Sequence, residues 1–161
     1  MDATSLVTLV VLHHARTGEA VSEICIRGNT KSPMVGVTSS CAHHVSDSSD
    51  ATINSFKDKA AFIFPDLSIR QEGLYWLKFH LFEIVDAVAI HRAEVKSSIF
   101  KVFTAKEFPG MEQSTDVTEY LRNQGLKMRA NMTVRIRKDR VSVIHDLQFA
   151  FNLDPTVSNK R

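Results

Sequence analysis

Apolar and polar residues alternate along much of the first two-thirds of the chain, a pattern typical of β-strands with one buried face. The clearest case is residues 74–84, where Lys78 and His80 lie on one face with Trp76 beside them. The opposite face of this segment is apolar and carries Tyr75, Leu77, Phe79 and Leu81. Shorter strands are predicted at residues 5–12, 21–27, 34–39, 60–64 and 97–103. Short strands between turn signals, with few helices, favour a β-sandwich or a barrel.

One helix is predicted from Asp116 onward, because Asp116 and Glu119 have the spacing of a capping box. Gly125 stands where a helix C-terminal glycine belongs. The residues that would share the apolar face of this helix are Val117, Tyr120 and Leu121. These signals predict a single short helix late in the chain.

Three further segments are predicted from their patterns. Residues 46–59 are small and polar, which predicts a long surface loop. Residues 133–137 alternate, with Arg135 and Arg137 on one side of a predicted strand. Residues 141–153 are predicted as a strand or as one arm of a hairpin.

The composition is that of one ordinary folded domain: 161 residues, 43% apolar and 24% charged. It argues against intrinsic disorder of the whole chain, and no apolar run approaches the roughly 20 residues that a membrane helix needs. We therefore expect no membrane partner. Cys25 and Cys41 are expected to be free thiols, since a domain of this size needs no disulfide.

The formal net charge of +2 hides an uneven distribution. Residues 1–60 carry five basic and six acidic side chains, residues 61–120 carry six and nine, and residues 121–161 carry nine and three. A basic excess in the last third suggests a polyanionic partner, although a solvated tail would explain the charge equally well.

Enzyme and metal chemistry find little support in the residues. The chain has none of the motifs G-x-S-x-G, H-E-x-x-H or C-x-x-C. The adjacent pairs His13–His14 and His43–His44 would point to opposite faces of a strand, so neither pair is suited to one ion. We expect no enzymatic activity, no cofactor and no metal site. Asp66 and Glu72 flank Arg70, which predicts a local ion pair.

Several longer motifs resemble the velvet domain of fungal regulatory proteins. The most specific are FIFPDLSIRQEGLYWLKFHLFEI at residues 62–84 and AKEFPGM at residues 105–111. Shorter matches follow the family's order at residues 35–45, 96–103 and 124–129. The resemblance spans roughly residues 5–138.

The resemblance implies an immunoglobulin-like β-sandwich of the Rel-homology type, with one or two short helices. It also implies a nuclear, sequence-specific DNA-binding regulator of development, sporulation and secondary metabolism, with cytoplasmic shuttling possible. Such proteins act as homodimers or as heterodimers with other velvet-domain proteins. Some members also join a nuclear methyltransferase-like regulator.

The chain departs from the family pattern in three places. We assign residues 1–138 to a velvet domain lacking the usual N-terminal strand and basic loop, and residues 139–161 to a C-terminal extension. Residues 130–135 interrupt the family's basic end as an insertion. Trp76 replaces a residue that is often basic in the family, which makes it a candidate for a partner interface or a filler of a gap.

Double-stranded DNA is the partner that the basic residues favour, because two arginines spaced two apart on a strand lie about 7 Å apart and can straddle backbone phosphates. The candidate DNA contacts are Arg129, Arg135, Arg137, Lys138, Lys127, Arg70 and Lys106. The alternative function is a dimerisation subunit that modulates another velvet protein and binds DNA weakly by itself.

Overall fold

Antiparallel β-strands dominate the structure, a computed structural model that describes residues 5–45, 60–110, 114–127, 142–143 and 149–150. The first eight strands are β1 (Leu6–His14), β2 (Ile24–Ile26), β3 (Asn29–Lys31), β4 (Met34–Val35), β5 (Ser39–Cys41), β6 (His43–His44), β7 (Ala60–Phe62) and β8 (Ser68–Ile69). They are followed by β9 (Gly73–Val85), β10 (Val88–Lys96), β11 (Phe100–Val102), α1 (Asp116–Asn123), β12 (Ser142–Val143) and β13 (Phe149–Ala150).

The largest sheet is built on β9, which pairs with β1, β10 and β11, while β5 extends the sheet beyond β1. The β1–β9 ladder runs from Leu6 opposite Glu83 to His14 opposite Tyr75. Because side chains alternate between faces, one face of β9 is buried and the other is partly exposed. The alternation predicted for residues 74–84 is therefore confirmed.

The core lies between the inner face of this sheet and the short strands β7 and β8. Leu12, Leu77, Phe79 and Leu81 from the large sheet are completely buried in one cluster. The same cluster contains Phe62 of β7 and Ile69 of β8, together with Leu67 and Val102. The predicted β-sandwich with few helices agrees with this arrangement, because two layers of antiparallel strands close over one apolar interior.

The strand β10 was not predicted from the sequence. It forms a hairpin with β9 through the two-residue turn Asp86–Ala87, whose φ angles are +49° and +63°. Two successive positive φ values fit a type I′ turn, which normally favours Asn-Gly. Neither Asp86 nor Ala87 is a glycine, and almost all of β10 is exposed, so neither a turn motif nor an alternating pattern marks this hairpin.

Other predicted strands are shorter or divided. The segment at 34–39 is interrupted at Gly36, whose φ is +91° and which lies tightly against Asp66. It therefore contributes β4 before the glycine, and β5 begins only at Ser39. The segments at 21–27, 60–64 and 97–103 contain the shorter strands β2, β7 and β11.

The predicted helix is present, but its N-cap is Thr115 rather than Asp116. The Thr115 hydroxyl accepts a hydrogen bond from the Thr118 backbone N–H, while Asp116 is the first helical residue. Leu121 is buried against Val45 and Ala61, as the predicted apolar face requires. Gly125 follows the helix with φ +85° and donates its N–H to the Arg122 carbonyl, which confirms the predicted C-terminal glycine.

The predicted loop at 46–59 and the predicted strand at 133–137 lie outside the described residues. Within the predicted strand or hairpin arm at 141–153, β12 pairs with β8 and β13 pairs with β7. Both partner strands carry core residues. The division of the chain at residue 138 stays a prediction.

Candidate functional site

The predicted DNA contacts are only partly covered by the structure. Arg129, Arg135, Arg137 and Lys138 lie outside the described residues. Lys127 is exposed just after the helix α1, which packs on Val45. The remaining two candidates, Arg70 and Lys106, lie near the large sheet.

Arg70 and Lys106 lie at the same end of the large sheet. Arg70 comes three residues before Gly73, where β9 begins. Lys106 comes four residues after Val102, which pairs with Gly73. Because β11 runs antiparallel to β9, the chain after β11 leaves the sheet at the end where β9 starts. The topology thus brings together two basic residues that are 36 positions apart in sequence.

Two more basic residues lie at this end, and sequence reasoning missed both. Arg16 is exposed in the turn after β1, and the neighbouring Ala15 donates its backbone N–H to the Leu74 carbonyl. Lys101 lies on β11 opposite Leu74. We call Arg16, Arg70, Lys101 and Lys106 the basic sheet end. Nothing in the local sequence around Arg16 marks it, because its position depends on the pairing of β1 with β9.

Acidic residues share this end of the sheet, so its charge is mixed. Glu19 follows Arg16 on the same turn, Glu72 lies between Arg70 and the start of β9, and Glu107 follows Lys106. The charge of Glu72, added to burial, raises the pKa of the Tyr75 phenol. The four basic side chains therefore give this end a modest positive excess rather than a strong field.

The ion pair predicted around Arg70 is wrong. Its Nε atom is buried and has no hydrogen-bond partner among the described residues. Asp66 instead accepts a hydrogen bond from the Val37 backbone N–H at 2.8 Å. The Arg70 backbone N–H donates to the Pro33 carbonyl at 2.9 Å, so the residue is anchored by its main chain.

Trp76, the predicted partner contact, lies half-buried on the outer face of the large sheet. The His13 ring stacks on it at a centroid distance of 4.1 Å and an angle of 15°. The Lys96 ammonium lies 5.0 Å from the ring centroid, within the range of a cation–π contact. Neighbours in the same chain therefore cover much of the indole, which limits the area it can offer to a partner.

The apolar surface that is open lies instead at the tip of the β9–β10 hairpin. Val88 is 60% exposed, and Ile84, Val85 and Ile90 are also exposed. Within the described part of the chain, β10 pairs with β9 alone and so forms one edge of the sheet. A long edge strand with exposed apolar side chains is a surface on which another chain can add a strand.

Histidines and charged residues occupy the centre of the outer face. The Lys78 ammonium lies 2.7 Å from Glu94 Oε2, and this hydrogen bond lowers the pKa of the Glu94 carboxyl. His80 Nδ1 lies 3.8 Å from the same oxygen. Burial and the Lys78 charge lower the pKa of His80, while the Glu94 charge opposes them.

Burial also separates structural charges from available ones. Glu83 lies on the inner face of β9 and is mostly buried. Arg92 reaches it from β10, with its Nε 2.7 Å from Glu83 Oε2 and its Nη2 also in contact. Arg92 is thereby engaged in an ion pair and is not a free cation for a ligand. Among the described residues, no helix is long and apolar enough to cross a membrane.

A helix-poor β-sandwich without an evident catalytic motif, and with basic turns at one sheet end, is the framework of a regulatory or binding domain rather than of a typical enzyme. The comparison with known families agrees with that class. The velvet factor family model matches residues 11–139. The chain therefore belongs to the velvet family.

Three relatives describe what this chain is similar to. The spore development regulator umv1 of Mycosarcoma maydis is 43% identical over 99 residues, which cover 62% of this chain and 11% of that protein. The developmental and secondary metabolism regulator MVE1 of Zymoseptoria tritici is 43% identical over 94 residues, covering 48% and 37%. The regulator VEL1 of Cochliobolus heterostrophus, named for the same two processes, is 42% identical over 94 residues, covering 48% and 16%.

The aligned regions are small parts of these relatives, between 11% and 37% of their lengths. All three are named as regulators rather than as enzymes.

Proposed function

We propose that this chain is a DNA-binding transcriptional regulator of development, sporulation and secondary metabolism, acting in the nucleus as a velvet homodimer or heterodimer. Membership of the velvet family supports this proposal, as do relatives named for development and secondary metabolism. Shuttling through the cytoplasm and association with a methyltransferase-like regulator belong to the same proposal.

The observation that carries the DNA-binding proposal is the basic sheet end. Turns at the ends of strands can approach a phosphate backbone without disturbing the sheet, and Arg16 and Lys106 are both exposed there. The candidates Arg129, Arg135, Arg137 and Lys138 add four further cations in sequence. Phosphate contacts from these groups would position the domain, while base contacts are not assigned.

Salt dependence tests the proposal directly. Each phosphate that the protein neutralises releases condensed counterions, so the slope of log K against log salt is about −0.9 per contact. Four contacts would give a slope of about −3.6. Fluorescence anisotropy with a labelled duplex, measured between 50 and 300 mM salt, on the order of the range where such slopes are resolved, gives this number. A flat response, or no binding at the lowest salt, would contradict the proposal.

Variants at the basic sheet end locate the contacts. Arg16→Ala and Lys106→Ala each remove one exposed cation, and each should reduce the magnitude of the slope by about 1 if it removes one phosphate contact. Lys78→Met is the matched control, because it removes the same charge from the centre of the outer face. If Lys78→Met weakens binding as much as the other two, the effect is that of net charge, and the assignment to the sheet end is wrong.

A second set of variants tests the basic run that sequence alone proposes. Replacing Arg129, Arg135, Arg137 and Lys138 with alanine together should lower the affinity more than the two sheet-end variants combined. An affinity unchanged within twofold would remove these four residues from the DNA interface.

A second candidate function, an interaction subunit that pairs with another velvet-domain protein, is favoured by the exposed tip of the β9–β10 hairpin. Val88→Asp places a charge on this apolar tip and should abolish pairing measured by size exclusion with light scattering. Val37→Asp is the control, because Val37 is also exposed but lies away from the hairpin, between β4 and β5. A chain that remains monomeric alone and with every velvet partner tested would exclude this function.

A further inference from the structure

Three side chains able to bind a metal ion meet on the outer face of the β9–β10 pair. They are His80 of β9 and His91 and Glu94 of β10, and their ligand atoms all lie within 4.8 Å of one another. His80 is directly opposite Glu94 in the ladder, and His91 is opposite Phe82, the next outward-facing position along β9. The three groups therefore occupy neighbouring positions on one surface.

A β-bulge is what places His91 and Glu94 on the same face. Residues three apart on a regular strand point to opposite faces, because side chains alternate with a period of two. The register shifts between His91 and Ala93, so that Arg92 is the additional residue of a bulge. Arg92 turns inward to Glu83, and both His91 and Glu94 remain on the outer face. Bulges commonly re-aim side chains next to functional sites.

The separations fit a tetrahedral metal site. His80 Nδ1 lies 3.4 Å from His91 Nε2 and 3.8 Å from Glu94 Oε2. Two ligands bound to zinc at about 2.0–2.1 Å and at the tetrahedral angle are about 3.3 Å apart. The histidine nitrogens are at this spacing, and a small rotation of the carboxylate would bring its oxygen to it.

We propose that His80, His91 and Glu94 form a binding site for a divalent transition-metal ion of the zinc class. Two imidazoles and one carboxylate suit zinc and its neighbours better than magnesium or calcium, which prefer oxygen ligands. Three protein ligands leave the fourth tetrahedral position open for water or for a group from another molecule. The ion would join the edge strand β10 to β9 through side chains as well as through the backbone.

Lys78 is the competitor for this site. Its ammonium donates to Glu94 Oε2 at 2.7 Å and lies beside the position that the ion would occupy. A bound dication would repel it, so metal binding requires Lys78 to move or to share the carboxylate through its second oxygen. Removing the lysine charge should consequently tighten metal binding, which a purely structural role of the three ligands would not predict.

Zinc binding by isothermal titration calorimetry tests the site, using the full chain without a histidine tag. The exposed thiols Cys25 and Cys41 would bind zinc themselves, so both are changed to serine in every variant. We expect one zinc ion per chain in this background. His80→Asn and His91→Asn should each weaken binding by at least about tenfold, since each removes a direct ligand.

Two comparisons make the result specific. His44→Asn removes an exposed histidine on β6, outside the cluster, and should leave the affinity unchanged. Lys78→Met should raise the affinity. Thermal unfolding in the presence of a chelator verifies that every variant is folded, and Glu94→Gln replaces either histidine variant if that variant fails this check.

Long-range ¹⁵N NMR of the imidazoles adds a structural criterion. On zinc addition we expect the Nδ1 signal of His80 and the Nε2 signal of His91 to move, because these are the atoms that face one another. The proposal is overturned if the background chain binds no zinc at millimolar concentration, or if the affinity of His80→Asn and His91→Asn equals that of the background chain. It is also overturned if His44→Asn lowers the affinity as much as they do.

Discussion

The close approach of Gly36 to Asp66 gives the sharpest test of how the strands between β4 and β5 are arranged. Gly36 has φ +91°, in the region that side-chain-bearing residues rarely adopt. A Cβ atom at this position would overlap the carbonyl oxygen of Asp66 and lie 2.7 Å from its Oδ1. That Oδ1 accepts the hydrogen bond from the Val37 N–H, so a methyl group here disturbs two main-chain positions and a hydrogen bond together.

The expected cost of Gly36→Ala combines two separate contributions. The unfavourable backbone conformation costs about 1–2 kcal/mol for a residue with a Cβ. Forcing a methyl group into a filled space adds about 1–3 kcal/mol, since the backbone of Asp66 must shift. We therefore expect a loss of about 2–5 kcal/mol. For a domain of this size a loss of 3 kcal/mol lowers Tm by about 6–12 °C.

Gly28→Ala is the matched control, because it isolates the backbone contribution. Gly28 also has positive φ, +76°, but an added Cβ would meet nothing within 4 Å. Only the conformational cost of about 1–2 kcal/mol should appear there. Urea unfolding followed by circular dichroism measures both variants against the unmodified chain. If Gly36→Ala costs no more than Gly28→Ala, the packing of Gly36 on Asp66 does not hold in solution.

Three further predictions concern the hairpin turn, the helix cap and the buried tyrosine. Ala87→Gly should stabilise the chain by about 1 kcal/mol in urea unfolding, because Ala87 holds φ +63° and glycine adopts this angle without strain. Thr115→Ala should cost about 1 kcal/mol, since it removes the acceptor for the Thr118 N–H, whereas Asp116→Ala should cost less in the same assay. Burial raises the pKa of Tyr75, so the folded state favours the neutral phenol, and stability should fall as pH rises above the unfolded value of about 10 and through the folded pKa. Absorbance titration at alkaline pH should show a late phenolate transition that Tyr75→Phe removes; its persistence in that variant would refute the assignment.

The long strand β9 could be predicted because its sequence carries two independent signals. Its inner face is a row of large apolar side chains, and its outer face carries polar groups at every second position. A turn signal at Pro65–Asp66 and a glycine at position 73 mark the neighbouring boundaries. The helix α1 was predictable for the same reason, since its cap, its apolar face and its terminal glycine agree. The N-cap was misplaced by one residue because Thr115 and Asp116 are both good caps, and only the backbone conformation distinguishes them.

The hairpin to β10 was missed for a physical reason. An edge strand exposed along nearly its whole length needs no alternation of apolar and polar residues, so it carries no periodic signal. Its turn adopts two positive φ angles without a glycine, which only the pairing of the two long strands can enforce. The predicted ion pair of Arg70 failed similarly, because adjacency in sequence did not specify where the Asp66 carboxylate points.

By itself the sequence determined the class of fold, the family and the identity of the main buried strand, because these follow from local periodicity and from long contiguous motifs. The tertiary structure alone decided which side chains share a surface. Arg16 and Lys106 meet at one sheet end through the antiparallel pairing of β1, β9 and β11. His80, His91 and Glu94 meet through a register shift of one residue. Strand register and bulges depend on contacts between segments distant in sequence, so no single segment contains the information that fixes them.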